Sequence, residues 1–165
     1  MYRLRVLQIG LAVVICDQIT KVFAVTYLEN KDSIKILGNF LQLSFARNPG
    51  AAFSVATGST LVFTLLAIAV AIGIPVYANK VRNNFWAVAL GGIFGGALGN
   101  AIDRLIRTPR GFRGEVVDFI NFTHYPLFNL ADSAITLSAG LIIWLSFKGI
   151  APRDSDPKLS NQGDS

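Results

Sequence analysis

Two aspartates lie in apolar parts of the sequence, where an isolated charge is unfavourable. Asp118 lies in GEVVDFINF (114–122) and Asp132 lies in PLFNLADSAITL (126–137). Two carboxyl groups held close together cannot both ionise easily, so such a pair can share one proton. One of them can then take a proton from a water that attacks an amide carbonyl. The other can donate a hydrogen bond to that carbonyl and later protonate the leaving nitrogen.

A structural interpretation of each acid is also open. Asn129 can cap the start of a helix, and Asp132 would then lie in its first turn, where the helix dipole favours a carboxylate. Asp118 can be an ordinary acid of a loop. Residue spacing alone does not decide between these interpretations and a catalytic pair.

Other polar residues occur at helical spacing inside apolar segments. Asp17 and Lys21 in DQITK are four residues apart, so they share a helix face. They form either an ion pair near the end of a helix or groups that support a site or contact its substrate. Asn100 and Asp103 are three residues apart, and Arg104 follows them. These three residues form either an interfacial ion pair or a polar cluster that lines a site.

Two glycine-containing motifs complete the set. GGIFGGALGN (91–100) repeats glycine at a spacing of four, which allows close packing of membrane helices. RNPGAAFS (47–54) has Asn48 before Pro49 and Gly50, which is typical of a turn. Its small residues, followed by Phe53, would also suit a loop that approaches a substrate closely.

The composition indicates a membrane protein. Of 165 residues, 52% are hydrophobic and 15% are charged, and the mean hydropathy is +0.50. Soluble domains average about 45–50% apolar and about 25% charged residues. One Cys and one His exclude a disulfide framework and a zinc cluster built on several such ligands, and HExxH is absent. The basic residues are scattered, which argues against nucleic-acid binding.

Four stretches are long enough to span a bilayer as helices: about 6–27, 59–78, 85–106 and 130–147. The segment 34–45 alternates apolar and polar residues around a Gly-Asn pair, which predicts a β-hairpin. We treat 107–129 as a connection rich in Gly, Pro and aromatic residues. The sequence therefore predicts one membrane-embedded domain over 1–148, followed by a polar, disordered tail over 149–165.

The orientation of the spans does not follow from charge. Four spans place both termini on one side, and each side then carries seven basic residues. The positive-inside rule has no bias to act on in such a case.

Five ordered motifs resemble the lipoprotein signal peptidases (signal peptidase II) of bacteria: DQITK (17–21), RNPGAAFS (47–54), GGALGNAIDR (95–104), GEVVDF (114–119) and FNLADSAI (128–135). The resemblance extends from about residue 7 to 147. It implies an aspartic endopeptidase of the plasma membrane that removes the signal peptide of prolipoproteins just before a diacylglyceryl-modified cysteine. It also implies an all-α membrane fold, a four-transmembrane-helix bundle with a small extracytoplasmic β-cradle.

The same resemblance implies site residues. Asp118 and Asp132 would be the catalytic pair. The residues that would line or support the site are Asp17, Lys21, Asn48, Gly50, Asn100, Asp103, Arg104, Asn129 and Ala131. The stretch 104–117 is longer than we expect of the family, and its 104–113 part is more basic. Its arginines either contact anionic lipid headgroups or are solvated, and we expect them to be solvated.

The implied setting is a bacterial plasma membrane, with both termini cytoplasmic and the active site near the outer leaflet. The expected partners are diacylglyceryl-prolipoprotein substrates and membrane phospholipid. We expect a monomer without a cofactor, metal or nucleic acid.

Two other functions explain fewer of these features of the sequence. A proton-coupled transporter needs acids staggered across the membrane, whereas these cluster near one face. A membrane scaffold assembled through the glycine face leaves the paired acids unexplained.

Overall fold

The structure is a computed structural model that describes residues 1–50, 60–109 and 112–153. Its elements, in chain order, are α1 (Tyr2–Leu28), β1 (Ile34–Leu37), β2 (Leu41–Asn48), α2 (Thr60–Tyr77), a 3₁₀ turn (Ala78–Lys80), α3 (Asn84–Ile106), β3 (Val116–Phe122) and α4 (Leu130–Phe147). Phe53 and the rest of 51–54, Arg110, and residues 154–165 of the tail predicted to be disordered lie outside the described residues.

Four helices within the described residues are long and apolar enough to cross a membrane. This confirms the predicted class of a multi-pass helical membrane protein. The first helix begins at Tyr2 rather than near residue 6. Arg3 and Arg5 do not prevent an earlier start, because long basic side chains at a helix end can extend their charge into water.

Helix α3 lies at the centre of the bundle and is the most buried of the four helices. Its glycines face two neighbours. A Cβ at Gly95 would lie 2.6 Å from the carbonyl oxygen of Gly10 in α1. A Cβ at Gly96 would lie 2.5 Å from the carbonyl oxygen of Ala131 in α4. The glycine repeat therefore lets the backbones of three helices approach closely, as the sequence predicts.

The strands form one antiparallel sheet in the order β1-β2-β3. The predicted hairpin is present as β1 and β2. The third strand was missed, because VVDFINF lacks a clear alternation and lies in a segment rich in glycine and proline. It pairs with β2 so that Asp118 lies opposite Ala46. The segment treated as a connection thus supplies an edge strand.

A short link joins β3 to α4 and fixes their relative position. Phe128 pairs with Ile120 through backbone hydrogen bonds of 2.8 and 3.1 Å. The rings of Phe122 and Phe128 stack with their centroids 5.7 Å apart. Helix α4 therefore begins directly beside the strand, and its first turn faces the side chains of β3.

Candidate active site

One cleft of about 1180 Å³ contains both aspartates of the predicted pair. Its wall is mostly apolar and is formed by α2, α3 and α4 together with the sheet and the segment before α4. The apolar residues include Phe63, Leu66 and Val70 from α2 and Ile93 and Ala97 from α3. The predicted site residues that line the cleft are Asn48, Gly50, Asn100, Arg104, Asp118 and Asp132.

Asp118 is buried and accepts hydrogen bonds on both carboxylate oxygens. Its Oδ1 lies 2.6 Å from Asn129 Nδ2, and its Oδ2 lies 2.9 Å from Asn48 Nδ2. Burial, the largest cause, raises the pKa of Asp118 to about 6, and the negative charge of Asp132 acts in the same direction. The two amide hydrogen bonds and the charge of Lys21 lower the pKa and offset part of this effect.

Asp132 lies in the first turn of α4 and is half-buried. Asn129 caps the helix: its Oδ1 accepts a hydrogen bond of 2.9 Å from the backbone N–H of Asp132. In return, Asp132 Oδ2 accepts from the backbone N–H of Asn129 at 3.3 Å. The other oxygen, Oδ1, accepts a bond of 2.7 Å from Asn100 Nδ2. The capping interpretation is therefore confirmed, and the same carboxylate also lines the cleft.

Asn129 connects the two aspartates, because its side-chain amide contacts Asp118 and its backbone and side chain contact Asp132. No ion pair to either carboxylate occurs among residues 1–50, 60–109 and 112–153. We call Asp118 and Asp132 the carboxylate pair. Within the same ranges, its hydrogen-bond donors are three asparagines, none of which carries a charge.

A second group of charged residues lies behind the cleft, and we call Asp17, Lys21, Asp103 and Arg107 the ion cluster. Lys21 Nζ lies 2.8 Å from Asp17 Oδ2 and 3.0 Å from Asp103 Oδ2. These three side chains have no solvent exposure. Arg107 Nε lies 2.8 Å from Asp103 Oδ1 at the edge of the cluster. The predicted Asp17–Lys21 ion pair is thus present and extends to a second helix.

The ion cluster also holds the backbone next to each aspartate of the carboxylate pair. Asp103 Oδ2 accepts a bond of 3.2 Å from the N–H of Val117, the residue before Asp118. Asp17 Oδ1 accepts a bond of 3.0 Å from the N–H of Ala131, the residue before Asp132. The cluster therefore ties the starts of β3 and α4 to α1 and α3.

The two remaining predicted residues also lie at the cleft. Gly50 has φ of 105°, a conformation that favours glycine, and its N–H donates a bond of 2.8 Å to Asn48 Oδ1. Arg104 is buried and lies 3.5 Å from the carbonyl oxygen of Gly114 through Nη1. The expectation that the arginines of 104–113 are solvated is wrong for Arg104, because α3 continues to Ile106 and carries this side chain into the protein.

Two members of the polar network were missed from the sequence. Arg107 could have been found, because it follows Asp103 by four residues on the same helix face. Gln18 Nε2 contacts Asp17 Oδ2 at 3.2 Å, Asp103 Oδ1 at 3.3 Å and the Gly99 carbonyl at 3.1 Å. No spacing rule points to Gln18, since its partners become neighbours only when α1 packs on α3.

Known proteins similar to this chain agree with these observations. The family model described as Signal peptidase (SPase) II matches residues 9–148. The lipoprotein signal peptidase of Rhodococcus jostii (strain RHA1) is 41% identical over 150 residues, which cover 91% of this chain and 76% of the relative. That of Streptomyces coelicolor (strain ATCC BAA-471 / A3(2) / M145) is 44% identical over 144 residues, which cover 87% of this chain and 71% of the relative.

A solved structure has the same fold. It is described as "Bacterial membrane enzyme structure by the in meso method at 2.3 A resolution", with a TM-score of 0.76 and 34% identity. The match covers 92% of this chain and 93% of that chain. The family match spans most of the chain, including both aspartates of the carboxylate pair and the four apolar helices. This chain belongs to the signal peptidase II family and is a multi-pass membrane protease.

Proposed function

We propose that this protein removes the signal peptides of diacylglyceryl-modified prolipoproteins by cleaving just before the lipidated cysteine. The observation that carries the proposal is the carboxylate pair itself. Asp118 and Asp132 lie in one apolar cleft, are connected by Asn129, and accept hydrogen bonds only from neutral donors in the part of the chain that the structure describes. Relatives named lipoprotein signal peptidase support the substrate class.

The environments of the two aspartates suggest their roles in hydrolysis. Asp132 lies at the N-terminal end of α4, where the helix dipole favours its ionised form, so it is the candidate to take a proton from the attacking water. Asp118 is the more buried of the two and has a raised pKa, so it is the candidate to carry the shared proton. Protonated Asp118 would donate to the scissile carbonyl and then protonate the leaving nitrogen.

The setting of the cleft suits a substrate that is itself anchored in a membrane. Its mostly apolar wall, to which α2, α3, α4, the sheet and the segment before α4 all contribute, can pack against an apolar signal peptide. A lipidated cysteine next to the scissile bond could then keep its acyl chains among the membrane phospholipids. Asp17, Lys21, Asn48, Gly50, Asn100, Asp103, Arg104, Asn129 and Ala131 would position the carboxylate pair or contact the peptide.

The proposal includes a location. We place the protein in the bacterial plasma membrane as a monomer, with the sheet and cleft near the outer leaflet and both termini in the cytoplasm. A cysteine replacing the exposed Asn39, in the turn between β1 and β2, would test this orientation in a Cys16→Ser background. A thiol reagent that cannot cross membranes should label it in intact cells. Labelling only after the membrane is opened would reverse the orientation.

The decisive experiment measures cleavage of a purified diacylglyceryl prolipoprotein by the purified protein in detergent micelles. Replacing a proton-transfer group typically lowers the rate about 10²- to 10⁴-fold. The cleavage rates of Asp118→Asn and Asp132→Asn should therefore each fall at least about 10²-fold. Both variants should keep the helical content and thermal midpoint of a folded protein. Asp32→Asn, at an exposed aspartate between α1 and β1, is the matched control and should cleave normally. Normal cleavage by either variant of the pair would overturn the proposal.

A further inference from the structure

Asn100 joins the ion cluster to the carboxylate pair. Its Oδ1 accepts a hydrogen bond of 2.9 Å from Lys21 Nζ, and its Nδ2 donates a bond of 2.7 Å to Asp132 Oδ1. Lys21 is completely buried and is not part of the cleft wall. The hydrogen-bonded connection from the ammonium group to Asp132 therefore runs through the intervening amide.

The chemistry of the ammonium group fixes which way this amide faces. A lysine ammonium has three donors and no acceptor, so it can bind only the oxygen of Asn100. The NH₂ group must then face Asp132, where a carboxylate accepts it. A flipped amide would place two donors together at Lys21 and two acceptors together at Asp132. Charge-assisted bonds at both ends make the observed orientation the strongly preferred one.

The side-chain amides of the two other asparagines at the pair are also fixed in orientation, but by backbone N–H groups. Asn48 Oδ1 accepts from the backbone N–H of Gly50, and Asn129 Oδ1 accepts from the backbone N–H of Asp132. Both then direct their NH₂ groups at Asp118. Asn129 Nδ2 also lies 3.3 Å from Asn100 Oδ1, but this donor is neutral. For Asn100, the charged donor is a side chain that mutation can remove.

We infer that Lys21 is a positioning residue of the proposed hydrolysis, which it serves by orienting Asn100 so that an N–H donor stays on Asp132. The inference rests on the proposed function. A carboxylate whose Oδ1 is held by Asn100 and whose Oδ2 is held by the helix cap has a fixed plane, so its remaining lone pairs point in a fixed direction into the cleft. The alternative is that Lys21 only neutralises Asp17 and Asp103. The two possibilities predict different kinetics.

A double-mutant cycle between Lys21 and Asn100 distinguishes them in the same cleavage assay. Lys21→Met removes the ammonium and keeps much of the volume. Losing one hydrogen bond to a charged group at the reacting centre corresponds to a fall in kcat of about 10- to 100-fold. KM should change less than about twofold, because Lys21 does not line the cleft. Asn100→Ala should lower kcat similarly, and the double variant should be no slower than Asn100→Ala alone.

Arg107→Met is the matched control, because Arg107 is the other cation on Asp103 and does not contact Asn100. Its kcat should stay within about twofold of wild type, given that it makes no contact with the pair. A loss in Arg107→Met equal to that in Lys21→Met would overturn the inference, since charge neutralisation would then explain both. Losses at Lys21 and Asn100 that multiply in the double variant would overturn it as well.

Removing Lys21 leaves two buried acids without this cation, so Lys21→Met can fail to fold. The double variant Asp17→Asn/Lys21→Met removes one charge of each sign and serves in that case. Relative to Asp17→Asn alone, its kcat should fall about 10- to 100-fold, as expected for Lys21→Met in the wild-type background. Asp118→Asn and Asp132→Asn run beside these variants. If the two aspartate variants are inactive and the lysine variants cleave normally, this inference fails and the proposed function stands. If the two aspartate variants cleave normally, both the proposed function and this inference fail.

Discussion

The ion cluster and the carboxylate pair lie next to each other, and each contains two aspartates, but the aspartates have different partners. Asp17 and Asp103 each contact the ammonium group of Lys21, and Asp103 also contacts Arg107. Asp118 and Asp132 receive hydrogen bonds from asparagine side chains and from one backbone N–H. An amide satisfies an acceptor without cancelling its charge. The first group is therefore close to neutral, while the second retains a negative charge that a proton can relieve.

This difference separates stability from chemistry. A buried carboxylate that loses its cation, or a cation that loses its carboxylate, is strongly destabilising. A buried carboxylate that takes part in no ion pair already raises the free energy of the folded state. We therefore expect the same substitution, Asp to Asn, to cost more stability in the ion cluster than in the carboxylate pair.

The largest effect on stability is expected from Asp103→Asn. The asparagine keeps an oxygen for the N–H of Val117 but removes the charge that holds Lys21 and Arg107. Breaking a buried ion pair from one side costs about 3–5 kcal/mol. Asp118→Asn removes a charge that takes part in no ion pair, although the new NH₂ group then faces a donor of Asn48 or Asn129, so it should cost less than Asp103→Asn. Thermal unfolding in detergent micelles would compare the two variants with the wild type.

Circular dichroism at the starting temperature should show equal helical content for both variants, so that their midpoints can be compared. Equal losses of stability in the two variants would show that the neutral donors balance the charge of Asp118 as well as Lys21 balances that of Asp103. The contrast between the two groups would then be wrong.

A smaller and pH-dependent effect is expected from the charge of Asp118. Its pKa is raised from 3.8 to about 6 by burial, so the folded protein holds this proton more tightly than the unfolded chain does. The resulting stability is complete below about pH 4 and is lost as the pH rises through about 6, by about 3 kcal/mol in all. Asp118→Asn lacks this loss. The thermal midpoint of Asp118→Asn, measured relative to that of the wild type, should therefore increase as the pH rises from 4 to 7.

The exposed Asp32→Asn variant should follow the wild type across the same range. A constant difference between wild type and Asp118→Asn at all pH values would contradict the prediction, because it would mean that Asp118 does not titrate there in the folded protein.

The parts of this contrast that could be predicted from sequence are those that depend on local spacing. Asp17 and Lys21 are one helical turn apart, so their ion pair follows from the helix alone. Asn129 and Asp132 have the spacing of a capping box, and the cap is present. The long apolar runs and the glycine repeat similarly predict the four helices and their close packing.

The parts that could not be predicted depend on contacts between distant segments. Lys21 and Asn100 are 79 residues apart, and only the packing of α1 on α3 brings them together. Asp118 gains its environment from β3, which forms only because β2 offers an edge to pair with. The five motifs that resemble a known family identify Lys21, Asn100 and Asp118 as site residues without any information on their contacts. The motifs did not show that three amides with fixed orientation separate a neutral cluster from a charged pair.

The smallest effect is expected from the glycine that presses on the ion cluster. A Cβ at Gly99 would lie 2.6 Å from Asp17 Oδ2 and 3.2 Å from Asp17 Cγ. Gly99→Ala should therefore cost about 1–3 kcal/mol through overpacking. Because Asp17 Oδ1 holds the N–H of Ala131, the displacement should also reach the first turn of α4 and lower cleavage. For Gly140→Ala, also in a membrane helix, the new Cβ meets no described residue within 4 Å, so the change should be neutral or stabilising by up to about 1 kcal/mol. Equal thermal midpoints for the two alanine variants would show that α3 can shift without disturbing the ion cluster, and the rigidity ascribed to that cluster would be wrong.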